Sequence, residues 1–479
     1  MRCLVPLQVS SSPWAFVSGW MMWGGLALAL ALVPAILVSR KVPQAKLAWL
    51  LAVVGFPWIG AGFYLTFGRR NLRHKILRHR SSHAAGTDRR SSRLFRRFRL
   101  LRSNVTEIVG EMERAGAFPP VAGNELRLLA EGPAAFDAAR DAMRAATRHV
   151  HLVTYIFKND PTGRGTLQLL ADAAGRGVEV RVLYDGAGTF ATRSRFFDPI
   201  RQAGGTVASF LPISPFVPGL RLNLRNHRKL LLCDGAVALT GGRNIGDEYA
   251  TGREWRDVHV QLRGPVVTAL QRVFAEDWHL ATGKTIDGDQ YFPRQPAAGD
   301  VPIQVVPSGP DQIEPLAPEL MFGAIASARE TIDIMTPYLV PTEPIEQALR
   351  SAARRGLRVR ILVPEYVDHR IVRWAADSYL PRLIQSGVQV WRHPHMVHGK
   401  LVIVDSTWAT LGSTNLDMRS LWLNFELNIA IPHAATASML AAYFAAELAA
   451  SRRLTPEDLD APFPTRMARA GANLLSPLL

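Results

Sequence analysis

One arrangement of side chains occurs twice in this chain, at the same spacing. His227-Arg228-Lys229 is followed by an apolar run that ends on Asp234, then by Gly241-Gly242-Arg243-Asn244. His398-Gly399-Lys400 is followed by a second apolar run that ends on Asp405, then by Gly412-Ser413-Thr414-Asn415. The segments upstream also match. A helical pattern over Ala134–Thr147, an apolar run His149–Phe157 and a second helical pattern Gly165–Arg176 lead to the β-branched stretch Val178–Leu183. Pro318–Glu330, Thr331–Val340, Pro344–Arg355 and Leu357–Leu362 repeat that order. Helical periodicity alternating with short β-branched runs predicts an α/β fold with a parallel or mixed sheet. Two copies predict two similar α/β domains related by a pseudo-twofold axis, spanning 119–290 and 300–479, with the boundary in the Gly/Asp/Pro-rich stretch Asp287–Asp300.

The spacing also sorts the side chains. Residues two apart on a strand share a face, so His227 and Lys229 point together, as do His398 and Lys400. Asp234 and Asp405 lie an odd number of positions from their histidines and face away, so they are expected to shape the fold around the site. A further acid follows each asparagine, Asp257 and Glu426, and either can reach an imidazole and fix its tautomer.

These residue types suit a phosphodiester. Two lysines and two asparagines, Asn244 and Asn415, offer charge and hydrogen bonds to its non-bridging oxygens without a metal or other cofactor. One histidine can attack phosphorus and the other can protonate the leaving alkoxide. Each motif alone is half a site. A lone His-x-Lys would mean little; a duplicated one inside a duplicated fold is specific.

The first 68 residues read differently. Two apolar stretches, about 17–38 and about 47–67, carry no charge, and each has the length of a bilayer-crossing helix. Tryptophans 14, 20, 23, 49 and 58 lie near their ends. A transmembrane helix hairpin is expected, in preference to a cleaved signal peptide, whose apolar part would be shorter. Net charge is +16, and most of it is local: residues 69–102 hold thirteen Arg and Lys against the single acid Asp88. That makes 69–118 a basic juxtamembrane linker. By the positive-inside rule it lies in the cytoplasm with the catalytic part, at the inner membrane. The two cysteines, Cys3 and Cys233, form no disulfide framework and no zinc-type spacing.

With these motifs, and with Thr336-Pro337-Tyr338, Asn424-Phe425-Glu426 and the Ile245–Tyr249 segment, the chain resembles the phospholipase D superfamily and, within it, the bacterial cardiolipin synthases. The resemblance runs over nearly the whole chain. It implies a catalytic set of His227, Lys229, Asp234, His398, Lys400 and Asp405. It also implies transfer of a phosphatidyl group between two phosphatidylglycerol molecules through a phosphohistidine, with phospholipids and the membrane as partners, no nucleic acid and no metal. Family analogy makes His227 the nucleophile and His398 the acid/base. Gly399 departs from the small side chain, such as alanine, usual in the family. Hydrolysis to phosphatidic acid, another phospholipid donor, or a nucleic-acid phosphodiester would use the same motif.

Overall fold

The structure is a computed structural model that describes residues 13–39, 43–65, 106–212, 224–251 and 255–476. Most of the basic linker, including residues 69–105, lies outside the described residues, as does Cys3. The chain forms two compact units.

The N-terminal unit holds α1 (Pro13–Leu37), α2 (Pro43–Gly55) and α3 (Pro57–Phe63). The second apolar stretch, expected as one helix, breaks at Phe56 because Pro57 has no N–H to continue the ladder. Small residues let these helices approach closely. A Cβ on Gly60 would sit 2.1 Å from the Ala52 carbonyl oxygen, and one on Gly24 would sit 3.2 Å from the Trp58 ring. Side chains of α1 are described from Trp23 onward, and among the described residues no helix is long and apolar enough to cross a membrane.

The second unit is built on one mixed sheet, and apart from the two-residue edge strand Arg452–Arg453 its strand order is a palindrome. In the first half, β1 (Val121–Leu128) is followed across the sheet by β9 (His259–Arg263), β7 (Val237–Gly241), β6 (Leu230–Cys233), β2 (His149–Thr154), β3 (Glu179–Asp185) and β4 (Thr206–Phe210). In the second half, β10 (Val301–Ser308) is followed by β17 (Asn424–Ile431), β16 (Trp408–Gly412), β15 (Leu401–Val404), β11 (Thr331–Met335), β12 (Arg358–Pro364) and β13 (Gln389–His393). The halves meet where β1 pairs antiparallel with β10, Val121 opposite Ile303. Within each half, β2/β3/β4 and β11/β12/β13 run parallel, while β6 and β15 pair antiparallel with β2 and β11. This is the mixed sheet that the alternating pattern predicts.

Helices cover both faces. Val266–Thr282 and Ala434–Ala449 bury Leu270, Phe274, Leu440 and Phe444 in a central core that draws on both halves. Gly132–Ala145 and Pro161–Gly175 close a separate core over the first half, and Leu316–Ser327 and Glu343–Arg354 close the equivalent one over the second. The halves therefore share a sheet and a core. The helix expected over Gly165–Arg176 starts four residues earlier because Pro161 occupies its first turn and Asp160 caps it, Oδ1 accepting from Gly163 N at 2.8 Å.

Candidate active site

The two-residue strand β5 (Arg225–Asn226) directly precedes His227 and pairs with the start of β17 in the other half, Arg225 opposite Asn424 and Asn226 opposite Phe425. The two-residue strand β14 (Met396–Val397) directly precedes His398 and pairs with β8 (Trp255–Arg256), also from the other half. His227 N donates to the Phe425 carbonyl at 2.9 Å, and His398 N to the Arg256 carbonyl at 2.6 Å. Each histidine is thus docked beside the residue that follows the paired dipeptide, Glu426 within β17 for His227 and Asp257 just after β8 for His398. Nδ1 of His227 lies 3.1 Å from both Glu426 carboxylate oxygens, and Nδ1 of His398 lies 2.8 Å from Asp257 Oδ2. Each half supplies the carboxylate for the other half's imidazole. With Nδ1–H donated to a carboxylate, Nε2 is the free ring nitrogen.

The motif lies in the extended links between β5 and β6 and between β14 and β15, at the mouths of the strands and not on them. Lys229 Nζ donates to the His227 carbonyl at 2.6 Å, and Lys400 Nζ donates to the His398 carbonyl. Lys400 Nζ also lies 2.8 Å from His398 Nδ1. Both histidines line one cleft of about 730 Å3, together with Asn244, Asn415, Tyr155, Tyr249, Tyr338, Arg225 and Arg419.

Asp234 and Asp405 are elsewhere. Both sit with positive φ, 55° and 51°, in the turns that close β6–β7 and β15–β16. Asp234 accepts from the backbone N–H of Thr147, Arg148 and His149 at 2.8–2.9 Å. Asp405 accepts from those of Arg329, Glu330 and Thr331 at 2.8–2.9 Å. Each pins the entry of β2 or β11, at the end of the sheet away from the cleft. This departs from the six-residue catalytic set that the resemblance implies, because a four-residue strand lies between each motif and its aspartate and carries the carboxylate to the opposite end of the sheet. Asn244 lines the cleft but is already engaged, Oδ1 accepting from Ile156 N at 3.2 Å and Nδ2 donating to the Tyr249 hydroxyl at 2.9 Å.

Burial sets the electrostatics. It lowers His227 to about 4, opposed by the Glu426 charge. It lowers His398 to about 3, helped by Lys400 and opposed by Asp257. Lys400 falls to about 8, and Lys229 is pushed well below its ordinary value, both mainly through desolvation. Burial alone would raise Glu426 and Asp257, but the hydrogen bonds from their histidines and the nearby Lys229 and Lys400 charges hold both below the usual carboxylate range. The cleft therefore holds two ionised carboxylates under two neutral imidazoles.

Residues between and around the motifs explain other features. Arg228 points away from the cleft and pairs with buried Asp277, its Nε donating to the Glu426 carbonyl at 2.9 Å. Breaking such a pair leaves a buried charge and costs about 3–5 kcal/mol. At the matching position a Cβ on Gly399 would sit 2.5 Å from Met335 Sδ, so the thioether already fills the space an alanine would take. Cys233 is a buried free thiol, pushed up by desolvation. His393 does not line the cleft; its Nε2 lies 3.2 Å from Glu447.

Several site residues are not singled out by spacing. Tyr155 stands edge-on to His227, ring centroids 5.0 Å apart, and Tyr249 and Trp255 pack at 5.5 and 5.1 Å from His398. Ser413, from the second asparagine-bearing turn, donates to Glu426. Tyr155 and Tyr338 follow the equivalent strands β2 and β11 one position out of register, Tyr338 matching Ile156, so the repeat by itself does not single them out.

Comparison with known proteins agrees with this architecture. Residues 140–278 and 321–448 match the family described as "Cardiolipin synthase, PLD-like domain", and residues 26–69 match "Phospholipase_D-nuclease N-terminal". The chain is 34% identical to a cardiolipin synthase of Alkalihalophilus pseudofirmus, over 97% of this chain and 95% of that protein. It is also 34% identical to one of Geobacillus sp. (strain WCH70), over 95% of this chain and 94% of that protein. The fold resembles the crystal structure of phosphatidylserine synthase from Haemophilus influenzae Rd KW20, with a TM-score of 0.60 at 14% identity, covering 78% of this chain and 99% of that one.

Proposed function

This chain belongs to the phospholipase D-like cardiolipin synthase family, and we propose that it transfers a phosphatidyl group from one phosphatidylglycerol to the hydroxyl of another, giving cardiolipin and glycerol. The observation that carries the reading is the reciprocal pairing of His227 with Glu426 and His398 with Asp257 at one cleft.

The chemistry follows from that geometry. Lys229 and Lys400 neutralise the bound phosphodiester and the charge that builds on its non-bridging oxygens. His227 Nε2 attacks phosphorus. The P–O bond to the departing glycerol breaks as His398 delivers a proton to its oxygen, leaving a phosphatidyl group on His227. The terminal hydroxyl of a second phosphatidylglycerol then gives its proton to His398 and attacks phosphorus. This step forms cardiolipin and frees His227. The choice of His227 as nucleophile rests on family analogy. Asp234 and Asp405 serve by anchoring the strands that present the motifs.

The N-terminal unit fits an anchor in the inner membrane, with the catalytic unit on the cytoplasmic side. Its outward side chains include Leu26, Leu30, Leu47, Leu51 and Trp58, all exposed, which suits a lipid environment. The basic segment after it then faces anionic headgroups.

The test uses the full chain with vesicles of phosphatidylglycerol, followed by mass spectrometry of the lipids. Cardiolipin and glycerol are expected in equal amounts, with the rate unchanged by EDTA. Phosphatidic acid as the sole product would contradict transfer.

The shifted histidines yield a second expectation. With free-site values near 4 and 3, neither imidazole carries the proton that the acid step needs at neutral pH. A bound phosphodiester anion stabilises an imidazolium, so the bound state has the higher pKa and holds more protons. Affinity should therefore rise as pH falls through the bound-state pKa, by up to about tenfold per pH unit for one proton, and level off below the free-site value. Dimethyl phosphate stays monoanionic from pH 7.5 to 5.5 and is a suitable probe. Calorimetry in two buffers of different ionisation enthalpy should show proton uptake on binding that disappears in His398→Gln. A pH-independent affinity would contradict the scheme.

A further inference from the structure

The cleft opens between two lips that come from pseudo-equivalent places in the repeat. One is the loop after β3, where Ala187 and Gly188 line the cleft. The other is the segment after β12, where Asp368 to Val372 line it. Each lip carries a large apolar side chain in the open. Phe190 is 74% exposed on the first; Tyr366 is 74% and Ile371 47% exposed on the second.

The first lip is tied down. Phe190 N donates to the Ala187 carbonyl at 3.1 Å, Thr189 Oγ1 to the Tyr155 carbonyl at 3.1 Å, and Thr192 Oγ1 to the Phe157 carbonyl at 2.7 Å. The phenyl ring is therefore held outward by an ordered loop. On the second lip, Tyr338 donates to Asp368 at 2.7 Å, and the Arg370 guanidinium lies 5.4 Å from the centre of the Trp374 ring. Single exposed apolar side chains are ordinary on a protein surface. Three of them on symmetry-related lips of one opening, beside the cationic Arg370 and above cleft walls that include Arg225 and Arg419, are not scattered singly.

We infer that this rim is a bilayer-seating collar: Phe190, Tyr366 and Ile371 enter the boundary between headgroups and acyl chains of an anionic membrane, and Arg370 meets the lipid phosphates. The inference rests on the lipid-transfer reading and extends it from what the cleft does to how it meets its substrate. Side chains of this kind reach about 5–10 Å into the interface. That depth brings a headgroup phosphodiester to the mouth of the cleft without removing the acyl chains from the bilayer. Electrostatic attraction and apolar burial act on the same surface, so the opening faces the membrane when the protein is bound.

The test places a polarity-sensitive fluorophore on Phe190→Cys, Tyr366→Cys and Glu330→Cys, each in the full chain with Cys3→Ser. Cys233 is buried and stays unlabelled. Glu330 is exposed at the opposite end of the sheet and serves as the control. In phosphatidylglycerol vesicles, labels at 190 and 366 should shift to shorter wavelength and be quenched by shallow doxyl-phospholipids, while the label at 330 should not. In parallel, Phe190→Ser/Tyr366→Ser should lose about tenfold in rate on vesicles and keep its rate on short-chain phosphatidylglycerol dispersed as monomers. Unquenched labels at 190 and 366 in vesicles that make cardiolipin would overturn the collar. So would labels that become buried without lipid quenching, which would assign the rim to a protein contact, or an equal loss on monomeric substrate. Quenching in a preparation that makes no cardiolipin would support the collar and count against the transfer reading instead.

Discussion

His227→Ala and His398→Ala should each lower cardiolipin formation by at least about 10^3-fold, and the double substitution should be little worse than the more damaged single variant. In the proposed scheme both imidazoles act in both half-reactions. Without His227 there is no atom to carry the phosphatidyl group. Without His398 the glycerol oxygen leaves as an unprotonated alkoxide, and nothing activates the second alcohol. Removing one partner thus stops the cycle, and removing the other has little left to stop. Binding should survive, because Lys229 and Lys400 remain to hold the phosphodiester. Steady-state lipid assays on the three variants, with dimethyl phosphate affinity measured alongside, check this. Two singles whose effects multiply in the double would mean that the histidines act independently.

The second large effect concerns the exchanged carboxylates. Asp257→Asn should lower the rate by about 10^4-fold, as loss of the orienting carboxylate does in a hydrolytic triad. The defect should appear in turnover by His398, though Asp257 lies in the other half of the chain. The surroundings of His398 make this substitution harsh. Lys400 Nζ stands 2.8 Å from the same Nδ1, so without Asp257 the lysine donates there and the ring takes the wrong tautomer. Glu426→Gln should be milder, about 10^2-fold. Nδ1 of His227 keeps a second acceptor, the Ser413 carbonyl at 3.1 Å, which holds the same tautomer without the charge. Rates of the two variants on phosphatidylglycerol, with unfolding transitions to establish that both fold, decide the matter. Equal effects would contradict the assigned environments.

The repeat is legible in the sequence because its signals are local and long. Helix and strand patterns recur in the same order, and parity along an expected strand already sets the aspartates apart from the histidines, although the strands themselves cover only Leu230–Cys233 and Leu401–Val404. Asp234 and Asp405 do turn outward, into positive-φ turns at the far end of the strands. The exchange of carboxylates is not legible. It depends on the two-residue pairings β5–β17 and β8–β14, too short to leave a periodicity, and these join residues 141 and 199 positions apart. Position in sequence suggests that each acid serves the nearer histidine; the sheet order shows the reverse. Periodicity also places the start of the Pro161–Gly175 helix too late. Proline ends most helical patterns, but here, with Asp160 as cap, it opens the first turn. The aromatic walls, Tyr249 and Trp255, sit on a four-residue helix and a two-residue strand, where no pattern could assign them a face.

The central claim is that the two half-sites divide the work between one nucleophile and one proton carrier. It is tested most directly with a phosphatidyl ester of p-nitrophenol, whose leaving group needs no acid, given to His398→Ala. A stoichiometric burst of nitrophenolate is predicted, followed by a stalled enzyme. Peptide mass spectrometry at alkaline pH should then find the phosphatidyl group on His227. Continuous turnover without an adduct, or an adduct on any other residue, would contradict the account.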